Sequence, residues 1–232
     1  MSKRWLLPED RFFDTEPLHR KTALEIYERI QSLPIISPHG HVDPNLFADP
    51  NRGFGDPAEL LIIPDHYVFR VFYSQGLKLE DFGIPLRPGS AGNVESDHRL
   101  VWRRFSEKFH LLRGTASYNW FSYEFKFVLG IDEIPDAENA DRLYDALSEK
   151  LASPEFQPRV LMDRLNIDVL CTTDGAADPL TAHAAIRASN WTDRVRPTFR
   201  PDSMVALSSP GFPDEIAKLS AASGIEVCSF VP

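Results

Sequence analysis

The sequence predicts an α/β fold in which parallel strands alternate with helices. Apolar segments that end in polar residues occur at 166–174 and at 194–202, and a third apolar segment runs over 225–231. Segments of helical periodicity at 180–188 and 212–223 separate them. The order strand, helix, strand, helix, strand at this spacing is typical of βαβ units, which build a parallel sheet.

The N-terminal part is predicted to contain one more helix and one more strand. Apolar residues repeat at helical spacing within 16–32, namely Ala23, Ile26, Tyr27 and Ile30. Pro34 ends this helix, because proline interrupts helical hydrogen bonding. A short apolar strand follows Pro34 and leads into His39.

Residues 56–150 are predicted to be mostly helical. Asp56 followed by Pro57 is typical of a helix start, and residues 83–96 carry the Pro and Gly of an exposed loop. Two apolar stripes at helical spacing predict packing in a core rather than a cofactor site. They comprise Trp102, Phe105, Phe109 and Leu112, and then Phe121, Phe125, Val128 and Leu129.

The composition is that of an ordinary globular protein and argues against several classes of function. The chain has 232 residues, of which 43% are hydrophobic, enough for a sizeable core and for one or two domains. A net charge of −9 argues against a broad nucleic-acid surface, because phosphate binding needs clustered Lys and Arg. A small anionic substrate is compatible with this charge when a local arginine holds it.

Cysteine usage and apolar run lengths predict a soluble cytoplasmic protein. Cys171 and Cys228 lie far apart and form no C-x-x-C pair, which fits a reducing compartment better than a disulfide framework. The N-terminal apolar run is too short for a signal peptide. No run approaches the roughly 20 apolar residues needed to cross a bilayer.

Two histidines, His39 and His41, follow the first predicted strand and are separated only by Gly40. Side chains at i and i+2 of an extended segment point to the same face, so the two imidazoles are expected on one side. Two neutral imidazoles on one face supply half of the ligands of a zinc-type site. A pair of exposed loop histidines is the alternative explanation of so short a motif.

Polar side chains also follow the later strands, with Thr173 and Asp174 after one and Arg200 and Asp202 after the next. Parallel α/β proteins place their sites at the carboxyl ends of strands, so these residues are candidates for ligand contacts. The alternatives are structural: Asp174 as a hydrogen-bond acceptor in a turn, and Arg200 as the partner of Asp202 in a surface ion pair. The strands alone do not distinguish a barrel from an open sheet.

Four motifs, in this order, resemble the uronate isomerases of the amidohydrolase superfamily. They are Pro-His-Gly-His-Val-Asp-Pro at 38–44, Asp-His-Tyr at 65–67, Cys-Thr-Thr-Asp at 171–174 and Phe-Arg-Pro-Asp at 199–202. The ordered set is more specific than any one of its motifs.

The resemblance implies a partial (β/α)8 barrel of TIM type that comprises the first few strands, with a large helical insertion after the first strand. The N-terminal helix and first barrel strand would occupy 1–45, and the helical insertion 46–155. Residues 156–232 would form further βα units of a truncated barrel.

The resemblance also implies conversion of D-glucuronate to D-fructuronate and of D-galacturonate to D-tagaturonate, with one divalent metal that is usually zinc. His39 and His41 match the family's first-strand metal ligands. His66 and Tyr67 match residues that reach the substrate and take part in proton transfer. Arg200 matches a substrate-binding arginine, and Asp174 is retained as a candidate substrate contact.

The residue types are compatible with this chemistry. Aldose–ketose isomerisation needs an acid–base group within hydrogen-bond reach and a positive centre that stabilises the enediolate. A metal supplies the positive centre, and the guanidinium of Arg200 suits a substrate carboxylate because it binds bidentately. Without the family, the simpler explanations are that Tyr67 is an amphipathic core residue and His66 a helix-surface histidine.

The length leaves three hypotheses open. A (β/α)8 barrel takes about 250 residues by itself, so only three or four of its strands fit beside the helical segment. The chain is therefore expected to be an N-terminal part of a uronate isomerase, without the late-strand aspartate ligand. The alternatives are a different amidohydrolase-type hydrolase or decarboxylase, and a catalytically silent fragment. A homo-oligomer is left open.

Overall fold

In the computed structural model, residues 3–87 and 89–229 are described, and the chain divides into two compact units. The first unit comprises the residues up to Gln31 together with Gly53–Gln157. The second comprises Ser32–Arg52 together with the residues from Pro158 onward. The second unit is therefore assembled from two stretches of sequence that flank the long helical segment.

The order of helices and strands confirms the mixed α/β class. In chain order the elements are α1 (Pro17–Ile30), β1 (Ile35–Gly40), α2 (Asn45–Ala48), α3 (Pro57–Leu61), α4 (His66–Ser74), α5 (His98–Lys108), α6 (Ala116–Tyr123), α7 (Ala140–Leu151), α8 (Pro158–Arg164), β2 (Ile167–Gly175), α9 (Thr181–Ala188), β3 (Val195–Arg200), α10 (Asp202–Val205) and α11 (Phe212–Ser223). A π-helical turn at Glu124–Val128 extends α6. Among the residues described, none of these helices has both the length and the apolar character to cross a membrane.

The first unit is a helical assembly around an aromatic core. Trp102 of α5 is fully buried, and its Nε1 donates a hydrogen bond of 2.8 Å to Ala140 O, so its polar atom is satisfied. The rings of Phe105 and Phe109 pack edge to face at 5.4 Å between centroids. The two stripes predicted as core are confirmed, since every member is buried except the half-buried Val128.

Aspartates begin three helices of this unit. Asp56, Asp65 and Asp97 each accept hydrogen bonds from two backbone N–H groups in the first turns of α3, α4 and α5. A carboxylate at this position satisfies amide donors that have no partner within the helix. The helix start predicted at Asp56 is confirmed, with Pro57 as the first helical residue.

The second unit contains a three-stranded parallel sheet in the order β1–β2–β3, as the alternation of strands and helices predicts. β2 lies in the centre, and its side chains alternate so that Leu170, Thr172 and Asp174 are buried. Helices α2, α8 and α9 pack an apolar core against it. Its buried members are Phe47, Met162, Leu170, Ile186 and Val195.

The helix predicted over 16–32 is confirmed as α1, although none of its residues is buried and the apolar Ile26 and Ile30 are exposed. Periodicity predicts that a segment is helical, whereas burial depends on the elements available to cover it. The strand predicted at 225–231 is absent from its described part, because residues 225–229 form no strand. Residues 230 and 231 lie outside the described residues.

Candidate functional site

His39 and His41 converge at the carboxyl end of β1, as their spacing predicts. Their Nε2 atoms lie 2.8 Å apart, their ring centroids lie 4.6 Å apart, and both residues are exposed. Two neutral imidazoles make this contact with one Nε2 as donor and the other as acceptor. A tetrahedral zinc ion with Zn–N bonds of roughly 2.0–2.1 Å places two ligand nitrogens about 3.3 Å apart. A ring movement of about half an ångström would therefore let both bind one ion.

Gly40 separates the two histidines at a point where β1 approaches β2 closely. A Cβ atom on residue 40 would lie 2.8 Å from Leu170 Cδ1 and 3.1 Å from Cys171 O. The register of β1 against β2 also shifts between Ser37 and Gly40. Such an irregularity changes the direction of the side chains that follow it. The missing side chain at this position therefore helps to set where the histidine pair lies on the sheet.

A buried polar network lies at the end of β2, beside the histidines. Thr172 Oγ1 is 2.7 Å from Asp174 Oδ2 and 2.8 Å from His183 Nε2, and all three residues are buried. A hydroxyl has one hydrogen, so Thr172 donates to the Asp174 carboxylate and accepts from the Nε2–H of His183. Thr173, between them in sequence, places its Oγ1 3.5 Å from His41 Nδ1. The ends of β1 and β2 thus meet at the histidine pair.

His183 of α9 was missed by the sequence reasoning. It is 4% exposed, and its Nδ1 has no hydrogen-bond partner among the described residues. Its neighbours Ala182 and Ile186 are buried on the same helix. The sequence does contain a signal that could have identified His183. It is a histidine on the apolar face of a helix, and that helix follows a strand that ends in polar residues.

One open cleft of the second unit, of about 510 Å³, collects most of these groups. Its lining includes His41, Thr173, Asp174 and His183, together with Asp43 and Asp178 of the neighbouring loops. Among the described residues, that lining contains three carboxylates and no lysine or arginine. The cleft therefore favours binding of a cation. An anionic ligand would bind there only beside an additional positive group, such as a metal ion.

Arg200 ends β3 and does not line this cleft. Its Nε lies 3.2 Å from Asp202 Oδ2, with the two side chains 42% and 70% exposed. This is the surface ion pair that the sequence predicts as the alternative to a substrate-binding role for Arg200. An exposed pair of this kind contributes about 0–1 kcal/mol, so a ligand carboxylate could displace Asp202 at small cost.

His66 and Tyr67 are the first two residues of α4, in the first unit. Asp65 accepts hydrogen bonds from Tyr67 N at 2.8 Å and from Val68 N at 3.2 Å, which fixes the start of the helix. The rings of His66 and Tyr67 lie 4.2 Å apart. Tyr67 is 50% exposed, so its explanation as a core residue is wrong.

Glu124, in the π-helical turn, is a second group that the sequence reasoning missed. Burial raises the pKa of Glu124, and the negative charge of Asp65 raises it further. A carboxyl group whose pKa is raised is a candidate proton donor. Its neighbours in sequence, Tyr123 and Phe125, gave no signal of this, because the shift comes from burial and from a charge 59 positions away in sequence.

Three side chains of the first unit could also hold a metal ion: Asp56, Glu59 and His98. One ligand atom of each lies within 4.8 Å of the others, and His98 Nδ1 is 2.5 Å from Asp56 Oδ2. One nitrogen and two oxygen donors are compatible with a divalent metal. These are not the predicted ligands, and Asp56 also has a structural role as the cap of α3.

Comparison with known proteins identifies the family. A sequence profile described as glucuronate isomerase matches residues 10–231. The chain belongs to the glucuronate isomerase family. The predicted resemblance to the uronate isomerases is confirmed.

Two relatives show how much of a family member this chain represents. The uronate isomerase of Nostoc punctiforme is 45% identical over 230 residues, which are 99% of this chain and 48% of that protein. The uronate isomerase of Rhizobium meliloti is 46% identical over 223 residues, 96% of this chain and 47% of that protein. The chain spans about half the length of the relatives it matches.

Solved structures of the family agree with the fold. The crystal structure of glucuronate isomerase from Caulobacter crescentus matches with a TM-score of 0.90 at 40% identity, covering 99% of this chain and 47% of that one. The uronate isomerase of Thermotoga maritima matches with a TM-score of 0.79 at 23% identity, over 95% and 45% of the two chains. At that lower identity the likeness concerns the fold alone.

Proposed function

We propose that this chain is part of a uronate isomerase that converts D-glucuronate to D-fructuronate and D-galacturonate to D-tagaturonate. The observation that carries the proposal is the convergence of His39 and His41, with Nε2 atoms 2.8 Å apart, in a member of the glucuronate isomerase family. Two imidazoles that meet at the carboxyl end of a parallel strand form the start of a metal site.

His39 and His41 would hold one divalent metal ion, and zinc is the first candidate because imidazole is among its preferred ligands. When bound, such an ion supplies Lewis acidity that polarises a sugar carbonyl. A catalytic zinc normally has about three protein ligands, so the pair would supply two of them. The carboxylates that line the adjoining cleft favour a cation there.

Arg200 and Asp174 would bind the substrate. Arg200 would exchange its exposed partner Asp202 for the substrate carboxylate, which its guanidinium can bind with two parallel hydrogen bonds. Asp174 is held on one oxygen by Thr172, and its second oxygen would accept a hydrogen bond from a sugar hydroxyl. The two residues would thus recognise the acidic and the neutral parts of a uronate.

His66 and Tyr67 would take part in proton transfer. The reaction removes a proton beside a carbonyl and returns one at the neighbouring carbon, so it needs groups that both accept and donate. An imidazole and a phenol can do both. The exposure of Tyr67 and the fixed start of α4 support this role.

The proposal extends to the barrel architecture and to the bounds of its segments. The sheet would be part of a (β/α)8 barrel, because its three strands are parallel and lie in chain order. The helical insertion would span 46–155, between the part at 1–45 and the βα units at 156–232. A cytoplasmic location and a homo-oligomer would be consistent with such an enzyme.

The alternative that the chain is catalytically silent by itself has one observation in its favour. The chain spans about half of the length of its relatives. The family match argues against the other alternative, an amidohydrolase-type hydrolase or decarboxylase.

Turnover of D-glucuronate and D-galacturonate tests the proposal. The purified chain with Zn²⁺ is assayed for ketose product, alone and mixed with the rest of the Nostoc punctiforme relative. Tyr67→Phe should abolish turnover, and Tyr73→Phe, which alters an exposed tyrosine of the same helix, should retain it. Turnover that Tyr67→Phe leaves intact would remove Tyr67 from the mechanism. No ketose in any arrangement would refute the isomerase proposal.

A further inference from the structure

One face of α6, in the first unit, carries aromatic and polar side chains outside the core. Trp120 and Tyr123 are 49% and 51% exposed, whereas Phe121 and Phe125 between and beyond them are buried. The face follows the helical spacing i, i+3, i+4, i+7 and i+8, which places its side chains on one side. Its members are Ala116, Asn119, Trp120, Tyr123 and Glu124.

A cleft of about 380 Å³, the α6 cleft, is lined by this face and by Arg11 and Phe12 of the N-terminal loop. Its volume falls in the range of roughly 300–1,000 Å³ that is typical of small-ligand sites. Such sites combine mostly apolar and aromatic walls with a few polar groups that fix the orientation of the ligand. The α6 cleft has three polar groups of different kinds, namely the guanidinium of Arg11, the amide of Asn119 and the carboxyl of Glu124.

Arg11 is held in place but keeps hydrogen-bond donors without partners. Its Nη1 donates to Pro8 O at 3.1 Å, and its Cζ lies 4.5 Å from the ring centroid of Phe12. Within the described residues, its Nε is buried without a hydrogen-bond partner, and no carboxylate lies within ion-pair distance. A guanidinium binds a carboxylate with two parallel hydrogen bonds, and its single charge matches a carboxylate better than a doubly charged phosphate. Arg11 therefore favours a ligand that carries one carboxylate.

Glu124 and Asn119 favour a ligand with hydroxyl groups. Burial is the main cause that raises the pKa of Glu124, Asp65 adds to it, and no described cation lowers it again. Such a carboxyl keeps its proton more readily than an exposed one, so it can donate a hydrogen bond as well as accept one. The Asn119 amide also offers a donor and an acceptor. A hydroxyl, which itself donates and accepts, is the matching group.

Trp120 and Tyr123 favour a ring with both apolar and polar surface. Their side chains combine an apolar ring with a polar tip. A pyranose of the gluco configuration is complementary to them, because its C–H bonds point to the ring faces and its hydroxyls to the rim. Trp120 also packs edge to face on Tyr67, with the ring centroids 5.7 Å apart, which orients the indole. The α6 cleft therefore adjoins a residue of the proposed mechanism.

We infer that the α6 cleft binds a sugar acid in its closed ring form, with the ring against Trp120 and the carboxylate at Arg11. Asn119 and Glu124 would bind the hydroxyl groups. The choice of a uronate as the sugar acid rests on the proposed function. The binding itself requires neither the metal site nor the isomerisation, so the two can be tested separately.

An aromatic amino acid and a quaternary ammonium ion are the competing ligands. The amino acid would pair its carboxylate with Arg11 and its ammonium group with Glu124, and the quaternary ion would pack on the aromatic rings. Both ligands need an ionised Glu124 as the partner of their positive charge, and Glu124 ionises less readily than an ordinary glutamate because its pKa is raised. The charge of Arg11 further opposes the quaternary ion. These points favour the sugar acid.

Titration of the chain with methyl β-D-glucuronide in the presence of EDTA tests the inference. The methyl group blocks ring opening, so this probe cannot be isomerised, and EDTA removes any metal. NMR follows the indole N–H signal of Trp120, which is identified by its loss in Trp120→Phe, and we expect the signal to shift. Methyl β-D-glucoside, the same ring without the carboxylate, should bind about tenfold more weakly or worse, because Arg11 would lose its partner.

Calorimetry gives the Kd of each variant for the glucuronide. Trp120→Ala should raise the Kd about tenfold, because the sugar would lose its aromatic contact. Arg11→Gln should raise it to the value for the glucoside, which abolishes the preference for the acid. Tyr73→Ala and Arg70→Gln are the matched controls, since they alter an exposed tyrosine and an exposed arginine of α4. Both should leave the Kd unchanged, and circular dichroism verifies the fold of every variant.

An unchanged Trp120 signal, or binding that neither Trp120→Ala nor Arg11→Gln weakens, would overturn the inference. Equal affinity for the glucuronide and the glucoside would overturn the sugar-acid class. Binding of L-phenylalanine or of tetramethylammonium, with neither glycoside bound, would overturn it in favour of that competing ligand. Binding of the glucuronide as expected, without ketose formed from D-glucuronate, would support the α6 cleft and count only against the proposed function.

Discussion

His183 Nε2 lies 2.8 Å from Thr172 Oγ1, which ties the first turn of α9 to the end of β2. Thr172 in turn donates to Asp174, so a candidate substrate contact is held through a histidine of another element. All three side chains are buried, where a polar group without a partner is costly. The orientation of the carboxylate in the cleft therefore depends on α9 as well as on its own strand.

Replacement of Thr172 by valine should destabilise the end of β2 by about 1–3 kcal/mol, because the Nε2–H of His183 and the Asp174 carboxylate would lose their shared partner in a buried site. Thr172→Ser keeps the hydroxyl and is the matched control. Hydrogen exchange of the amides of 167–175 measures the effect. Protection in Thr172→Val equal to that of the wild type would contradict the network.

Gly40→Ala should weaken the pairing of β1 with β2 by about 1–3 kcal/mol, because the new Cβ would overlap Leu170 and approach Cys171 O. Gly175→Ala is the control, since no atom lies within 4 Å of a Cβ built there. Hydrogen exchange of the amides of 35–40 reports on the pairing. If both variants show the same protection, the close approach at Gly40 does not constrain the strand.

Glu124→Gln should stabilise the protein at neutral pH and not in acid. The folded-state pKa of Glu124 lies above the ordinary glutamate value of 4.5, so the folded state binds its proton more tightly than the unfolded state. Its contribution to stability is therefore fully present below pH 4.5 and is lost as the pH rises through the raised pKa. Glutamine cannot ionise, so the variant escapes this loss.

The measurement for Glu124 is urea unfolding of the variant and the wild type across that pH range. Glu28→Gln, on the exposed surface of α1, controls for the loss of a surface carboxylate. A difference between Glu124→Gln and the wild type that does not grow with pH would show that burial of Glu124 has no electrostatic cost.

The parts of the fold predicted from sequence are those set by local periodicity. The stripe from Trp102 to Leu112 predicted a buried helix face, and the apolar run that ends in Thr173 and Asp174 predicted the strand that forms as β2. The i, i+2 spacing of His39 and His41 predicted their convergence, because it depends only on the geometry of an extended chain.

The parts that were missed depend on contacts between distant residues. Asp56 and His98 are 42 positions apart, and Thr172 and His183 are 11 apart on different elements. Neither pair produces a periodic pattern in the sequence from which the contact could be predicted. α1 shows the opposite case, since its apolar repeat predicted the helix but could not predict that Ile26 and Ile30 would be exposed. Their burial depends on which other elements of the fold cover them.

Zinc binding by histidine variants tests most directly whether His39 and His41 form the metal site. The chain and its variants are titrated with Zn²⁺ by calorimetry, and bound metal is counted by mass spectrometry after dialysis. His39→Ala and His41→Ala should each lower the affinity by about tenfold or more, because each removes one of two imidazole ligands. His98→Ala, in the Asp56–Glu59–His98 group, should leave it unchanged. Zinc binding that survives in the His39 and His41 variants but is lost in His98→Ala would contradict the account.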